Sequence, residues 1–121
     1  MPFEMARTED GSGVAMLTLT GTLTMGSQLE RLEASVAELI GKSQLGIVLN
    51  LAEVSYLDSS AIGTLIGCNN TVKKAGGRLR LAGVTERVKK ILEMTGVDAV
   101  LPLDANAGDS VAALRAGTGE A

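Results

Sequence analysis

The run Val54-Ser-Tyr-Leu-Asp58-Ser59-Ser60-Ala61-Ile62-Gly63-Thr-Leu-Ile-Gly67 decides how the chain folds. It follows Gly46-Ile-Val-Leu-Asn-Leu51, the most apolar strand candidate, and opens a helix with apolar residues at Ile62, Leu65, Ile66 and Val72. Asp58, Ser59 and Ser60 carry the side-chain oxygens favoured at a helix N-cap, where they accept from orphan backbone N–H groups. The same helix end is partially positive and suits an anion. A serine here has two readings: a plain cap, or an exposed hydroxyl that can accept a phosphate.

Upstream, Phe3 to Thr8 alternates weakly, as an edge strand does. Glu9-Asp10-Gly11-Ser12-Gly13 is a turn cluster, and Val14 to Thr20 returns as a second strand, giving an antiparallel hairpin. Gly21-Thr-Leu-Thr-Met-Gly26-Ser27 has the glycine spacing of a phosphate-binding P-loop, but Ser27 stands where that loop needs Lys. Without the cation the stretch reads as a strand-to-helix turn. Ser27-Gln-Leu-Glu30 has the form of a capping box. Leu29, Leu32, Val36, Leu39 and Ile40 form the apolar stripe of a helix that Gly41 ends. Ile47 to Leu51 is apolar on nearly consecutive residues, as in a central strand covered on both faces.

Downstream, the motif helix ends near Lys73-Lys74, before Gly76-Gly77. Gly63 and Gly67 lie four residues apart on one helix face, where they would let another backbone approach closely, either the sheet or a docked partner. Cys68 beside them reads as a small core residue. Arg78 to Ala82 alternates as a strand. Thr85 caps a helix carrying Val88, Ile91, Leu92 and Thr95, closed by Gly96. Ala99 to Leu103 is a short edge strand containing Pro102, and Asn106 or Asp109 caps a final helix through Val111 and Leu114. The order β-β-α-β-α-β-α-β-α predicts an α/β single domain. Its mixed β-sheet is opened by the N-terminal hairpin, with helices packed mainly on one face.

Composition narrows the function. The 121 residues are 45% hydrophobic, which fits one core. A net charge of −3 lacks the basic footprint of a nucleic-acid binder, and one Tyr, one Phe and no Trp leave no platform for stacking bases. No apolar run approaches a membrane span, so no membrane partner is expected. The lone Cys68 and the absence of a signal-peptide pattern point to the cytoplasm. With no His, a Ser-His-Asp triad is impossible and the commonest metal ligand is missing, so no metal and no cofactor are expected. A hydrolase using Ser59 or Ser60 would have only Lys73 and Lys74 as bases, several turns away.

Leu57-Asp58-Ser59-Ser60-Ala61-Ile62-Gly63 resembles the D-S-[ST]-G-[LI]-G signature of STAS domains, specifically the bacterial anti-sigma-factor antagonists. Ile47 to Leu51, Gly76-Gly77 and Val84 to Gly96 also match the family pattern, and the resemblance runs from about Gly21 to Leu114. It implies a STAS domain over 1–116 with a frayed tail at 117–121. It further implies that Ser59 is phosphorylated by a partner kinase. The unmodified domain would bind an anti-sigma factor of the serine/threonine kinase type and so free a sigma factor, and a serine phosphatase would reset it. The implied partner surface is the start of the motif helix and the loop after the second strand: Thr24, Met25, Asp58, Ser60, Ala61 and Ile62. Met25 is either an exposed contact there or tucked under the helix. Two departures stand out, Ala61 where the family usually has Gly and Thr24 where it often has Asp. They keep open a second reading, a STAS scaffold or transport-complex subunit that is never phosphorylated.

Overall fold

Asp10 turns the chain at the first hairpin. Its carboxylate accepts from the Ser12 N–H at 2.8 Å and from Ser12 Oγ at 2.6 Å. Strands β1 (Glu4–Glu9) and β2 (Val14–Leu23) pair antiparallel across this turn. A computed structural model describes residues 3–116; the tail expected to fray lies outside them. After the hairpin come α1 (Ser27–Gly41), β3 (Gly46–Leu57), α2 (Ser59–Lys74), β4 (Arg78–Ala82) and α3 (Glu86–Met94). A 3-10 turn at Val97–Ala99, the two-residue strand β5 (Leu103–Asp104) and α4 (Ala107–Arg115) complete the order. The sheet runs β1-β2-β3-β4-β5, with every neighbouring pair after the first parallel.

The apolar stripes explain the layers. Leu17, Leu19, Ile47, Leu49, Leu79 and Leu81 of the sheet form one core with Leu32 and Leu39 of α1, Leu65 and Val72 of α2, and Val88 and Leu92 of α3. Each Leu fully buried in this way contributes roughly 2 kcal/mol of transfer free energy. A second, smaller cluster joins Val14, Val48 and Ala82 to Val111 and Leu114 of α4. Val48 alternates with Ile47 and Leu49, so α4 covers the opposite sheet face. Helices therefore pack mainly on one face, with α4 alone on the other. On α4's side, Arg80 grips Asp104 through two hydrogen bonds of 2.6 and 3.0 Å, and Ser110 Oγ donates to the same carboxylate at 2.5 Å. This ties β4, β5 and α4 together.

Four local expectations are corrected. The strand expected to stop at Leu51 continues to Leu57. Its buried residues Leu51, Val54 and Leu57 are spaced by three rather than two. Two register shifts explain this: Thr18 and Thr20 face Asn50 and Glu53, while Gly21 and Thr22 face Val54 and Tyr56. Each shift inserts one extra residue in β3, and such a bulge re-aims the next side chain. The capping box at Ser27 does not form: the N-cap is Gly26, and Gln28 Nε2 reaches back to Thr24 Oγ1 at 3.2 Å. Ala99 to Leu103 supplies only the start of a strand, because Val97–Ala99 curls into the 3-10 turn; Pro102 still serves the edge by accepting from the Leu81 N–H at 2.9 Å. Finally, a Cβ built on Gly63 or Gly67 meets no atom within 4 Å beyond its own helix among the described residues, so the sheet does not approach either glycine closely.

Gly77 is the opposite case. A Cβ there would collide with the carbonyl oxygen of Leu45, which accepts from the Arg78 N–H at 2.7 Å. Gly77→Ala is expected to destabilise by about 1–3 kcal/mol, as overpacking does. Gly63→Ala and Gly67→Ala, in open space on the exposed side of α2, should each stabilise by about 1 kcal/mol. Urea unfolding of the three variants checks both signs; a destabilised Gly67→Ala would show a neighbour that this geometry lacks.

Candidate functional site

Asp58 is the residue around which the motif is built. It follows the last residue of β3 and is the N-cap of α2, with extended backbone angles. One carboxylate oxygen accepts from the Ala61 N–H at 2.9 Å, closing the first turn of α2. The other accepts from the Met25 N–H at 2.9 Å, reaching 33 residues back into the β2–α1 loop. The Asp58 N–H donates to Leu23 O, and its carbonyl accepts from the Ile62 N–H. The N–H groups of Met25, then Ala61, then Ser60 hold its carboxyl below the usual carboxylate range. Asp58 is thus a clamp between loop and helix that is charged at neutral pH.

Because Asp58 takes the capping role, Ser59 and Ser60 fall inside the helix as its first two residues. Ser59 is exposed, whereas Ser60 is half-buried. Beside them Met25 is 77% exposed, so it is not tucked under the helix. Thr24 is half-buried and accepts from Gln28. Ala61 and Ile62 turn inward: Ala61 is fully buried and Ile62 nearly so, both within the main core. This corrects their place on a contact surface, since residues three and four past the cap of a helix lying on a sheet face the sheet. The loop and the helix start otherwise come together as the sequence pattern implies.

Tyr56 was not singled out by the motif. It stands two residues before Asp58, is partly exposed, and is covered by the Arg87 guanidinium 5.5 Å from its ring centre. The signal available was its being the one Tyr of the chain, set in a run of small and acidic residues. Cys68 lies in the core, and burial pushes its thiol up to about 11, with Glu33 adding to the effect. Lys73 and Lys74 sit at the far end of α2, roughly 20 Å from Ser59 along the helix. Among the described residues no group of three His, Cys, Asp or Glu side chains could hold a metal ion, and no helix is long and apolar enough to cross a membrane.

Replacing Asp58 by Ala removes a cap and leaves the Met25 N–H without its acceptor, so the melting temperature should fall by roughly 5 °C at neutral pH. The folded carboxyl titrates below its ordinary value, so its stabilisation is complete above the unfolded value near pH 4. It is lost as the pH falls through the lower folded value. Melts of wild type and Asp58→Ala should therefore differ by a constant amount at neutral pH and converge in acid. A gap that widened in acid would contradict the clamp.

A family model for the STAS domain matches residues 5–110. The chain is 33% identical over 93 residues to a candidate sulfate transporter of Bacillus subtilis, covering 77% of this chain and 17% of that protein. It is 34% identical over 61 residues to the anti-sigma-B factor antagonist of Bacillus subtilis, covering 50% of this chain and 56% of that one. The chain thus spans less than two thirds of either relative. Among solved structures, the anti-sigma factor antagonist SpoIIAA of Bacillus superposes in its unphosphorylated form with a TM-score of 0.79 at 21% identity, covering 95% of this chain and 97% of that one. Its phosphorylated form gives 0.69 at 20% identity, covering 92% and 97%. At that identity the likeness speaks for the fold, and the family match carries the classification: the chain belongs to the STAS domain family.

Proposed function

We propose that this domain is an anti-sigma-factor antagonist, a protein-binding module switched by phosphorylation of Ser59. The observation that carries the reading is the exposed Ser59 hydroxyl in the first turn of α2, beside an Asp58 whose carboxylate is already occupied and an exposed Met25. Exposure favours Ser59 over the half-buried Ser60 as acceptor, a choice that two adjacent hydroxyls in a sequence leave open. The relatives named as anti-sigma factor antagonists, and SpoIIAA with its phosphorylated form, support the same reading.

The unmodified domain would offer Met25, Thr24, Ser59 and Ser60 to a kinase-type anti-sigma factor, with Asp58 fixing the loop against the helix. The partner then transfers the γ-phosphoryl group of ATP to the Ser59 oxygen, releasing ADP and the hydroxyl proton. Phosphate adds about −1.5 to −2 charge at a helix N-terminus that tolerates it. The domain stays folded, while the new charge beside Asp58 must be desolvated or repelled at the interface. A serine phosphatase would hydrolyse the ester and restore binding. In this reading the domain is substrate and ligand, and the enzymes are its partners.

Ser59→Asp is expected to weaken binding to the kinase partner by at least about tenfold, because a like charge brought into an interface costs more than one decade of affinity. Ser59→Ala should bind like wild type and resist release by ATP. Titration of the three forms, with melts to show that all are folded, tests this, and mass measurement after incubation with the kinase maps the phosphate. Equal affinities for all three would reject the switch. The relative named as a sulfate transporter supports the alternative, a STAS module working within a transport complex without phosphorylation. An unmodified Ser59 after exposure to kinases that modify other antagonists would favour it.

A further inference from the structure

A standard protein–protein contact covers about 800 Å² on each partner, on the order of 20 residues a side. Met25, Thr24, Ser59 and Ser60 supply only part of such a patch. The surface around them can extend along α2, past Gly63 and Gly67, or sideways toward the start of α3. Small residues bury little area, so the first direction offers few anchors. The second holds Tyr56 and Arg87. Among the described residues the large apolar side chains left exposed are Met25, Tyr56, Met94 and Val100. Met25 and Tyr56 flank Asp58 and Ser59, whereas Met94 and Val100 lie at and beyond the far end of α3.

The sheet order brings these pieces together. β2, β3 and β4 are neighbours and parallel, so the segments that leave them emerge at the same end of the sheet. The β2–α1 loop with Met25 stands on one side of the β3–α2 junction, and the β4–α3 connection on the other. Tyr56 precedes Ser59 by three residues, so their Cα atoms are at most about 11 Å apart. Arg87, the second residue of α3, lays its guanidinium 5.5 Å from the Tyr56 ring centre. Such stacking holds both side chains in place before a partner arrives, which lowers the ordering cost of binding. Yet the guanidinium has no ion pair among the described residues, although Glu86 adjoins it in sequence and Glu53 stands three residues before Tyr56. A planar fork of donors left free beside an exposed ring fits a carboxylate whose apolar stem packs on the ring. Tyr and Arg are also enriched among the few residues that carry most of the energy of an interface.

We propose that Tyr56 and Arg87 form a second anchor for the kinase-type anti-sigma factor, with Arg87 pairing with an Asp or Glu of that partner and the Tyr56 ring packing beside it. The inference rests on the reading of Ser59 as that partner's site and adds a specificity residue on its α3 side. The test uses the full chain labelled with 3-fluorotyrosine, whose one Tyr gives one fluorine resonance. The probe is the purified kinase-type anti-sigma factor of the Ser59 titrations. The resonance should shift and saturate with added kinase. Arg87→Glu and Tyr56→Ala should each weaken binding at least about tenfold, while Tyr56→Phe binds like wild type. Arg87→Gln should flatten the dependence of affinity on salt, a change that a merely structural role would not produce. Both positions are exposed, so the variants should melt close to wild type. A Ser59→Asp chain that loses affinity beside an Arg87→Glu chain that keeps it would overturn the inference and leave the switch standing. A fluorine resonance that stays still at saturation would do the same. A wild-type chain that the kinase does not bind would remove both. A resonance that moves with the concentration of the domain alone would assign the pair to a second copy of this chain and overturn the proposal.

Discussion

Two backbone N–H groups from distant parts of the chain, those of Met25 and Ala61, end on the two oxygens of one carboxylate. The first helix turn of α2 and the loop leaving β2 are both segments whose backbone donors have no partner within their own element. Asp58 satisfies one from each, and its own N–H closes on Leu23 O at the last rung between β2 and β3. Loop, strand and helix are therefore fixed relative to one another by a single side chain. Ser59 and Met25 inherit their exposure from that arrangement, because the residue that could have buried a serine hydroxyl in capping is already in place.

Much of this was legible in the sequence, and the exceptions have physical causes. The order of elements followed from apolar periodicity, and the caps at Thr85 and Asn106 formed as their residue types suggest, accepting from Val88 and Asp109. Asp58 could be placed at the helix start, but not its second hydrogen bond, since a contact 33 residues away leaves no mark on local spacing. The end of β3 was hidden because two bulges convert a period of two into a period of three, which in a sequence resembles a helix. The capping box failed at Ser27 because Gly26, at φ 148°, already makes the non-helical turn, leaving Ser27 inside the helix. Gly63 and Gly67 suggested a close neighbour, but among the described residues nothing beyond their own helix comes within 4 Å of a Cβ built on either.

The opposite sheet face follows a different logic. It is covered by α4 alone, over a cluster of only three buried residues, Val14, Val48 and Ala82. So small an apolar contact is supplemented by the polar link from Arg80 through Asp104 to Ser110. The carboxylate there is held below its usual range, first by Arg80 and then by Ser110. A second ion pair, Arg115 to Asp10, joins the end of α4 to the hairpin turn. Charge and hydrogen bonding thus hold a helix that hydrophobic burial holds only weakly.

The lengthened β3 has a mechanical meaning. β4 accompanies it only from Gly46 to Asn50, and the remaining seven residues run on with β2 as their single ladder partner. The motif is thus carried at the end of a two-strand extension of the sheet, whose Val54 and Leu57 still pack into the main core. An added group or a bound protein at its tip would meet a pair of strands there rather than the full width of the sheet. In the proposed switch, a group added to Ser59 and later removed would act first on this two-strand extension.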